Sequence, residues 1–183
     1  MSLAGYLSAL ATAALLLLPQ YSCVIDSSYV SLLENVPLEA AHSTARLAFA
    51  VLLDWTHWSE WNSVWVSNVN INRFPEIGDV VSVKMNAGVQ FQTMFQVTEV
   101  DWLALRFCWQ VFYPQFKILH FPFLKTNRCT QIVYELEKRH IAMRTTDHII
   151  GVLAIPTCHT FHVEGTAAYQ RLANDLRARL MTH

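Results

Sequence analysis

The sequence predicts an α+β domain: a curved antiparallel sheet wrapped around a long C-terminal helix, with a separate apolar helix in front. Three observations predict it. Residues 3–18 carry no charge, several later segments alternate apolar and polar side chains with period two, and the chain closes on a helical apolar stripe beside arginines. A length of 183 residues suits one domain with a proper core.

Composition limits the function classes. Hydrophobic residues make up 53% and charged residues 15%, against about 45–50% and about 25% in ordinary domains. That excludes a disordered chain. A net charge of −1 supplies no field for a polyanion, so no nucleic-acid partner is expected. The surplus is aromatic, with ten Phe, six Trp and six Tyr. Part of it is expected to line a cavity or to face lipid. Cys23, Cys108, Cys129 and Cys158 form no C-x-x-C pair, and the expectation is four buried, reduced thiols.

In chain order, residues 1–25 read as one unit and residues 26–183 as another. The first has no charged side chain and is stopped as a helix by Pro19. It lacks the basic opening and small-x-small ending of a secretory signal, and it is short of the roughly 20 apolar residues that span a bilayer. It is therefore expected to associate with a membrane through residues 3–18, to pack on the domain, or to pair two copies as a homodimer. The protein itself is expected inside the cell.

A strand is expected around Leu32 to Ala41. Ser43 or Thr44 then caps a short amphipathic helix ending near Asp54, and Trp55, Trp58 and Trp61 fall on one side of a second helix. Pro75 to Asp79 make a turn. Strands follow in which Val81, Val83 and Met85, then Phe91, Phe95 and Val97, then Leu103, Leu105, Phe107, Trp109 and Val111, then Ile132, Tyr134 and Leu136 point inward. Consecutive one-faced strands with short turns make an antiparallel meander. Phe161, Tyr169, Leu172, Leu176 and Leu180 form the stripe of the last helix.

The order of these elements, with Leu53-Asp54-Trp55-x-x-Trp58-x-x-Trp61-Asn62, Gly78-Asp79, Asp101 to Phe107 and His120-x-Phe-x-Leu124, resembles the START-like helix-grip superfamily, SRPBCC, over roughly residues 30–182. Arg139-His140 departs from the pattern where many members place a glycine. The resemblance implies a deep hydrophobic cavity between sheet and C-terminal helix, used by lipid and hormone carriers and by polyketide cyclases and dehydratases.

On the strand alternation such a cavity is lined by Met85, Phe91, Phe95, Phe107, Trp109, Phe161 and Tyr169, with Trp61 and Trp65 from the tryptophan segment. The plainer expectation is that the same side chains fill a solid core. His120 alternates inward with Phe116 and Ile118 and could serve as donor or base near neutral pH, and Tyr134 could donate a hydrogen bond. Both have a plain alternative as ordinary core or rim residues. Glu135 and Glu137 are expected to be solvated.

His159-x-x-His162 lacks a third ligand, so no metal is expected. Neither nucleophile elbow, phosphate loop nor dinucleotide fingerprint occurs, and no cofactor is implied. An aromatic pocket with so few ionisable groups suits ring closure of a hydrophobic linear precursor, polyketide or terpenoid, by a pericyclic (Diels–Alder type) or an aldol-type route. The competing class is a non-catalytic carrier of a lipid or other hydrophobic metabolite.

Overall fold

The structure, a computed structural model, describes residues 21–67, 73–86, 90–112, 125–151 and 154–182. Among these described residues seven strands form one sheet, β1 (Tyr21–Leu33), β2 (Trp65–Ser67), β3 (Val80–Asn86), β4 (Gln90–Asp101), β5 (Arg106–Phe112), β6 (Lys125–Glu135) and β7 (His140–Gly151). Their order across the sheet is β1-β7-β6-β5-β4-β3-β2, every pair antiparallel. Helix α1 (Leu38–Leu53), a 3-10 turn (Trp55–His57) and the short α2 (Trp58–Trp61) separate β1 from β2, and α3 (Ala154–Met181) follows β7. The leading apolar helix falls on residues 1–20, outside the described residues, and so does His120.

Alternation decides which face each strand buries. Phe95 and Val97 of β4, Phe107, Trp109 and Val111 of β5, and Thr126, Arg128, Thr130 and Ile132 of β6 are all buried. Helix α3 lies against β1 and β7 and presents Tyr169, Leu172, Leu176 and Leu180, each at most 9% exposed, to the core. Helix α1 contributes Ala45, Ala48, Phe49, Leu52 and Leu53 to the same core.

Several boundaries differ from the expected ones. Residues 21–25 belong to β1 rather than to the leading segment, and the strand expected around Leu32 to Ala41 ends at Leu33. Helix α1 begins at Leu38, behind Pro37. Ser43 and Thr44 lie inside it and donate to the Ala40 carbonyl at 2.9 and 2.8 Å, so neither is the cap; a hydroxyl one turn into a helix commonly bonds back to the preceding turn. Leu103 and Leu105 sit in the β4–β5 turn, where Asp101 accepts hydrogen bonds from the amides of Leu103 and Ala104. Leu103 is 90% exposed, and Leu105 takes φ +50°. Leu136 likewise falls in the turn after β6 and is exposed.

Arg139, at the position where the resemblance expects glycine, has φ +50° and supports the turn through its carbonyl, which accepts from the Val36 amide at 2.8 Å. The backbone demand for a left-handed residue is therefore met by a side chain that tolerates it less well than glycine.

The cysteines correct the expectation of free thiols. Cys108 and Cys129 are directly opposed in the β5–β6 register and form one disulfide, and Cys23 of β1 is joined to Cys158 in the second turn of α3. Neither partnership has a sequence spacing signature, because each depends on which elements the fold sets side by side.

Candidate functional site

The short segment after α1 is held tightly, and that fixes the first aromatic rings. Trp58 donates its indole N–H to the Leu52 carbonyl at 2.9 Å, while Asn62 Oδ1 accepts from the amides of Val64 and Trp65, both at 2.9 Å. Asp175 of α3 accepts from the Ser63 amide and hydroxyl, tying the entry to β2 onto the last helix. Trp55, Trp58 and Trp65 are thereby turned into the core, whereas Trp61 is half-buried at its edge.

From Trp65 the rings continue without a break. Its centroid lies 5.0 Å from Trp58, 5.2 Å from Trp109 and 6.4 Å from Tyr169. Trp109 in turn lies 4.8 Å from Phe107 and 5.9 Å from Phe95. Five of the expected lining residues, Trp65, Phe95, Phe107, Trp109 and Tyr169, are thus brought together, each at most 3% exposed. Edge-on and tilted rings at these separations attract one another beyond their burial. Met85 and Phe91 face each other in the β3–β4 register, with Met85 also opposite Trp65, and Phe161 lies about two turns before Tyr169 on α3.

A charged pair stands at the edge of this aromatic cluster. Arg128 and Asp147 are opposed in the β6–β7 register, with Arg128 Nε 2.5 Å from Asp147 Oδ1, and their side chains are 4% and 2% exposed. The guanidinium carbon of Arg128 lies 4.6 Å from the centroid of the Tyr169 ring and 5.9 Å from that of Trp109, within cation–π range. Two positions further along the same strands, on the same face, Thr130 and Thr145 meet hydroxyl to hydroxyl at 3.3 Å.

Among the described residues, buried polar atoms of Ser28, Ser31, Trp55, Asn62, Trp65, Thr126 and Tyr169 have no hydrogen-bond partner; Thr126 lies two residues before Arg128 on β6, and the Tyr169 ring is the one the guanidinium faces. Leaving such a group unpaired costs about 1–3 kcal/mol. The interior therefore combines closely packed aromatic rings, a buried guanidinium–carboxylate pair, and hydroxyl and indole groups able to bond an oxygen acceptor.

Tyr134 is placed elsewhere. Its hydroxyl donates to the Val36 carbonyl at 3.2 Å, and its ring borders an outer groove of about 520 Å³ with Pro37, Leu38, Glu39, Leu136, Glu137 and Arg139. It stands six residues along β6 from Arg128, about 20 Å at the rise of a strand.

A second polar group of residues occupies the opposite face of the sheet. The Tyr29 hydroxyl bonds Glu135 and lies 2.7 Å from His140 Nε2, and Lys138 pairs with Glu135 at 2.8 Å. Burial and the Glu135 carboxylate push the Tyr29 hydroxyl up to about 12, while Lys138 and Tyr29 hold Glu135 below the usual glutamate range. Glu135 is thus partnered rather than simply solvated, while Glu137 is exposed as expected.

No protein-family model matches the chain, and no curated protein sequence does. Solved structures do match. Norcoclaurine synthase of Thalictrum flavum is 11% identical, with 90% of this chain and 98% of that one covered at a TM-score of 0.61. The Zhui aromatase/cyclase of a Streptomyces species is 10% identical, with 89% and 94% covered at 0.58. Ara h 8.0201 is 11% identical, with 90% and 100% covered at 0.58. This is the helix-grip fold of the SRPBCC and Bet v 1-like proteins. Within the helix-grip frame two enzymes and an Ara h 8 protein share one architecture, and what distinguishes this chain has to be read from its own interior.

Arg128, Asp147 and Thr126 were missed by the sequence reading. The signal was present: Thr126-x-Arg128-x-Thr130-x-Ile132-x-Tyr134 is the same period-two pattern that turned Ile132 and Tyr134 inward. Among the described residues no group of three potential metal ligands comes together, and no helix is long and apolar enough to cross a membrane.

Proposed function

We propose that the protein is a small-molecule cyclase that holds a hydrophobic linear precursor, polyketide or terpenoid, between sheet and α3 and folds it for ring closure without a cofactor. The observation that carries this reading is the Arg128–Asp147 pair, buried against Tyr169 and Trp109 beside unpartnered polar groups. Aromatic faces bind an apolar chain in a compact shape, which removes much of the entropic barrier to closure. Arg128, oriented by Asp147, donates a hydrogen bond to a carbonyl oxygen of the precursor and stabilises negative charge that develops there.

A pericyclic closure needs only that polarisation. An aldol-type closure also needs a base, for which His120 is the candidate. Purified protein incubated with linear precursors carrying a carbonyl should close the ring faster, or with a different product ratio, than buffer alone. An unchanged rate and ratio would remove the enzymatic reading.

The alternative is a carrier. It is favoured by the donor-rich polar set, which can hold a carbonyl-bearing ligand without supplying a base. A carrier returns its ligand chemically unchanged, and mass spectrometry of the ligand before and after incubation separates the two readings. Membrane contact through residues 3–18 would serve either, since both handle molecules that dissolve in lipid.

A further inference from the structure

Among the described residues, four exposed large apolar side chains fall on two neighbouring turns at one end of the sheet. Phe74, Ile77 and Val80 lie on the approach to β3, 49%, 69% and 53% exposed, and Leu103 projects from the β4–β5 turn, 90% exposed. Trp102 joins the two turns: half-buried, it packs its ring on Phe49, and its centroid lies 5.5 Å from that of Phe74.

The polar backbone of both turns is paired within the protein. In the first, the Gly78 amide donates to the Val97 carbonyl, the Asp79 amide to the Glu76 carbonyl and the Glu76 amide to the Asp79 carboxylate, while Arg73 donates to the Phe74 carbonyl. In the second, Asp101 Oδ1 accepts from the amides of Leu103 and Ala104, and the carbonyls of Ala104 and Leu105 accept from Gln131 Nε2 and the Ile132 amide. Water satisfies an exposed turn without such closure, whereas a turn that enters an apolar medium has to bring its polar groups already paired.

We infer that these two turns dock on the surface of a neutral, zwitterionic membrane, with Leu103 and Ile77 among the acyl chains and the Trp102 ring at headgroup level. Projecting apolar tips gain by leaving water, and a tryptophan suits the headgroup layer. Around the turns Arg73 and Arg106 are paired with Glu76, Asp79 and Glu99, and Asp101 adds a further carboxylate. That surplus of negative charge complements a choline cation and is repelled by an anionic lipid surface, so apolar burial carries the contact. The contact is distinct from any made by residues 3–18. β1 runs from Tyr21, opposite Gly151, to Leu33, opposite Ile141, so the leading residues enter at the other end of the sheet.

The test sediments the full chain with vesicles of pure phosphatidylcholine and with vesicles containing phosphatidylserine. The protein should partition onto the first at least as strongly as onto the second, changing by less than about twofold between about 0.05 and about 0.5 M salt. Leu103→Asp and Ile77→Asp, checked for native circular dichroism, should each weaken partitioning at least about tenfold, while Val24→Asp, 69% exposed at the other end of the sheet, should change it by less than about twofold. No partitioning of the unmutated chain onto phosphatidylcholine overturns the inference, as does an equal loss in Val24→Asp. Partitioning that both turn variants retain also overturns it and assigns the contact to residues 3–18. Binding confined to phosphatidylserine and abolished by salt overturns it in favour of charge. A dimer lost in Leu103→Asp, without vesicle binding, overturns it in favour of an interface between two copies.

Discussion

Arg128 and Asp147 face each other across β6 and β7 at 2.5 Å, both buried, with the Arg128 guanidinium carbon 4.6 Å from the Tyr169 ring centroid and 5.9 Å from that of Trp109. A buried pair of this kind is bound to its partner more strongly than the fold as a whole depends on it. Breaking it leaves an uncompensated charge, whereas removing both charges leaves none. Arg128→Met or Asp147→Leu alone should lower stability by about 3–5 kcal/mol, and the double variant by much less. Urea unfolding of the four proteins measures the cycle, and additive single effects would contradict it.

Tyr169→Phe and Tyr134→Phe should behave oppositely. The Tyr169 hydroxyl is buried without a partner, so its removal should leave stability unchanged or raise it by about 1 kcal/mol while weakening binding of a carbonyl ligand. The Tyr134 hydroxyl donates to the Val36 carbonyl, and its loss should cost about 1 kcal/mol with little effect on that ligand. Thermal melts and dye displacement on the two variants give both readouts.

The Cys23–Cys158 disulfide ties the edge strand to the start of α3 beside a small cluster of Ile25, Ile149 and Ala154, apart from the main core. Its removal in Cys23→Ser/Cys158→Ser should cost about 2–4 kcal/mol, read by denaturant unfolding. Disulfides persist in oxidising compartments, which weighs against the expectation of an intracellular protein. Alkylation of the native protein before cell disruption should find no free thiol at the four cysteines; four alkylated thiols would restore the intracellular expectation.

Tyr29 supplies a pH-dependent contribution whose sign is fixed. Its folded value of about 12 lies above the ordinary 10, so the stabilisation is fully present below pH 10 and is lost as pH rises from 10 to 12. A spectrophotometric titration should contain a late tyrosinate step that belongs to Tyr29. Tyr29→Phe should abolish that step and flatten the loss of stability over the same range; retention of the step in the variant would assign it to another residue.

The inward faces of β3 to β6 and the stripe of α3 were legible because alternation and 3.6-residue periodicity report burial directly. Val81, Phe95, Phe107, Trp109, Tyr169 and Leu172 are all where that reading put them. The start of α1 was misread because Ser43 and Thr44 look like caps from their residue type, yet their hydroxyls bond back within the helix. Leu103 has the right parity for an inward residue but belongs to a turn that Asp101 closes. The site was harder still. A lone Arg and a lone Asp nineteen residues apart read as surface charges until β6 and β7 set them in register. Trp65, Phe95, Phe107, Trp109 and Tyr169 share one buried cluster, while the Arg128–Asp147 pair beside them was not read from the sequence.

The measurement that bears most directly on the ligand site is a crystal structure of the protein with a long-chain methyl ketone. The carbonyl oxygen should lie within hydrogen-bond distance of the Arg128 guanidinium, with the chain running along Trp109, Trp65 and Tyr169 between the sheet and α3. A ketone bound only in the outer groove beside Tyr134, or an interior closed by its own aromatic rings with no ligand between them, would contradict it.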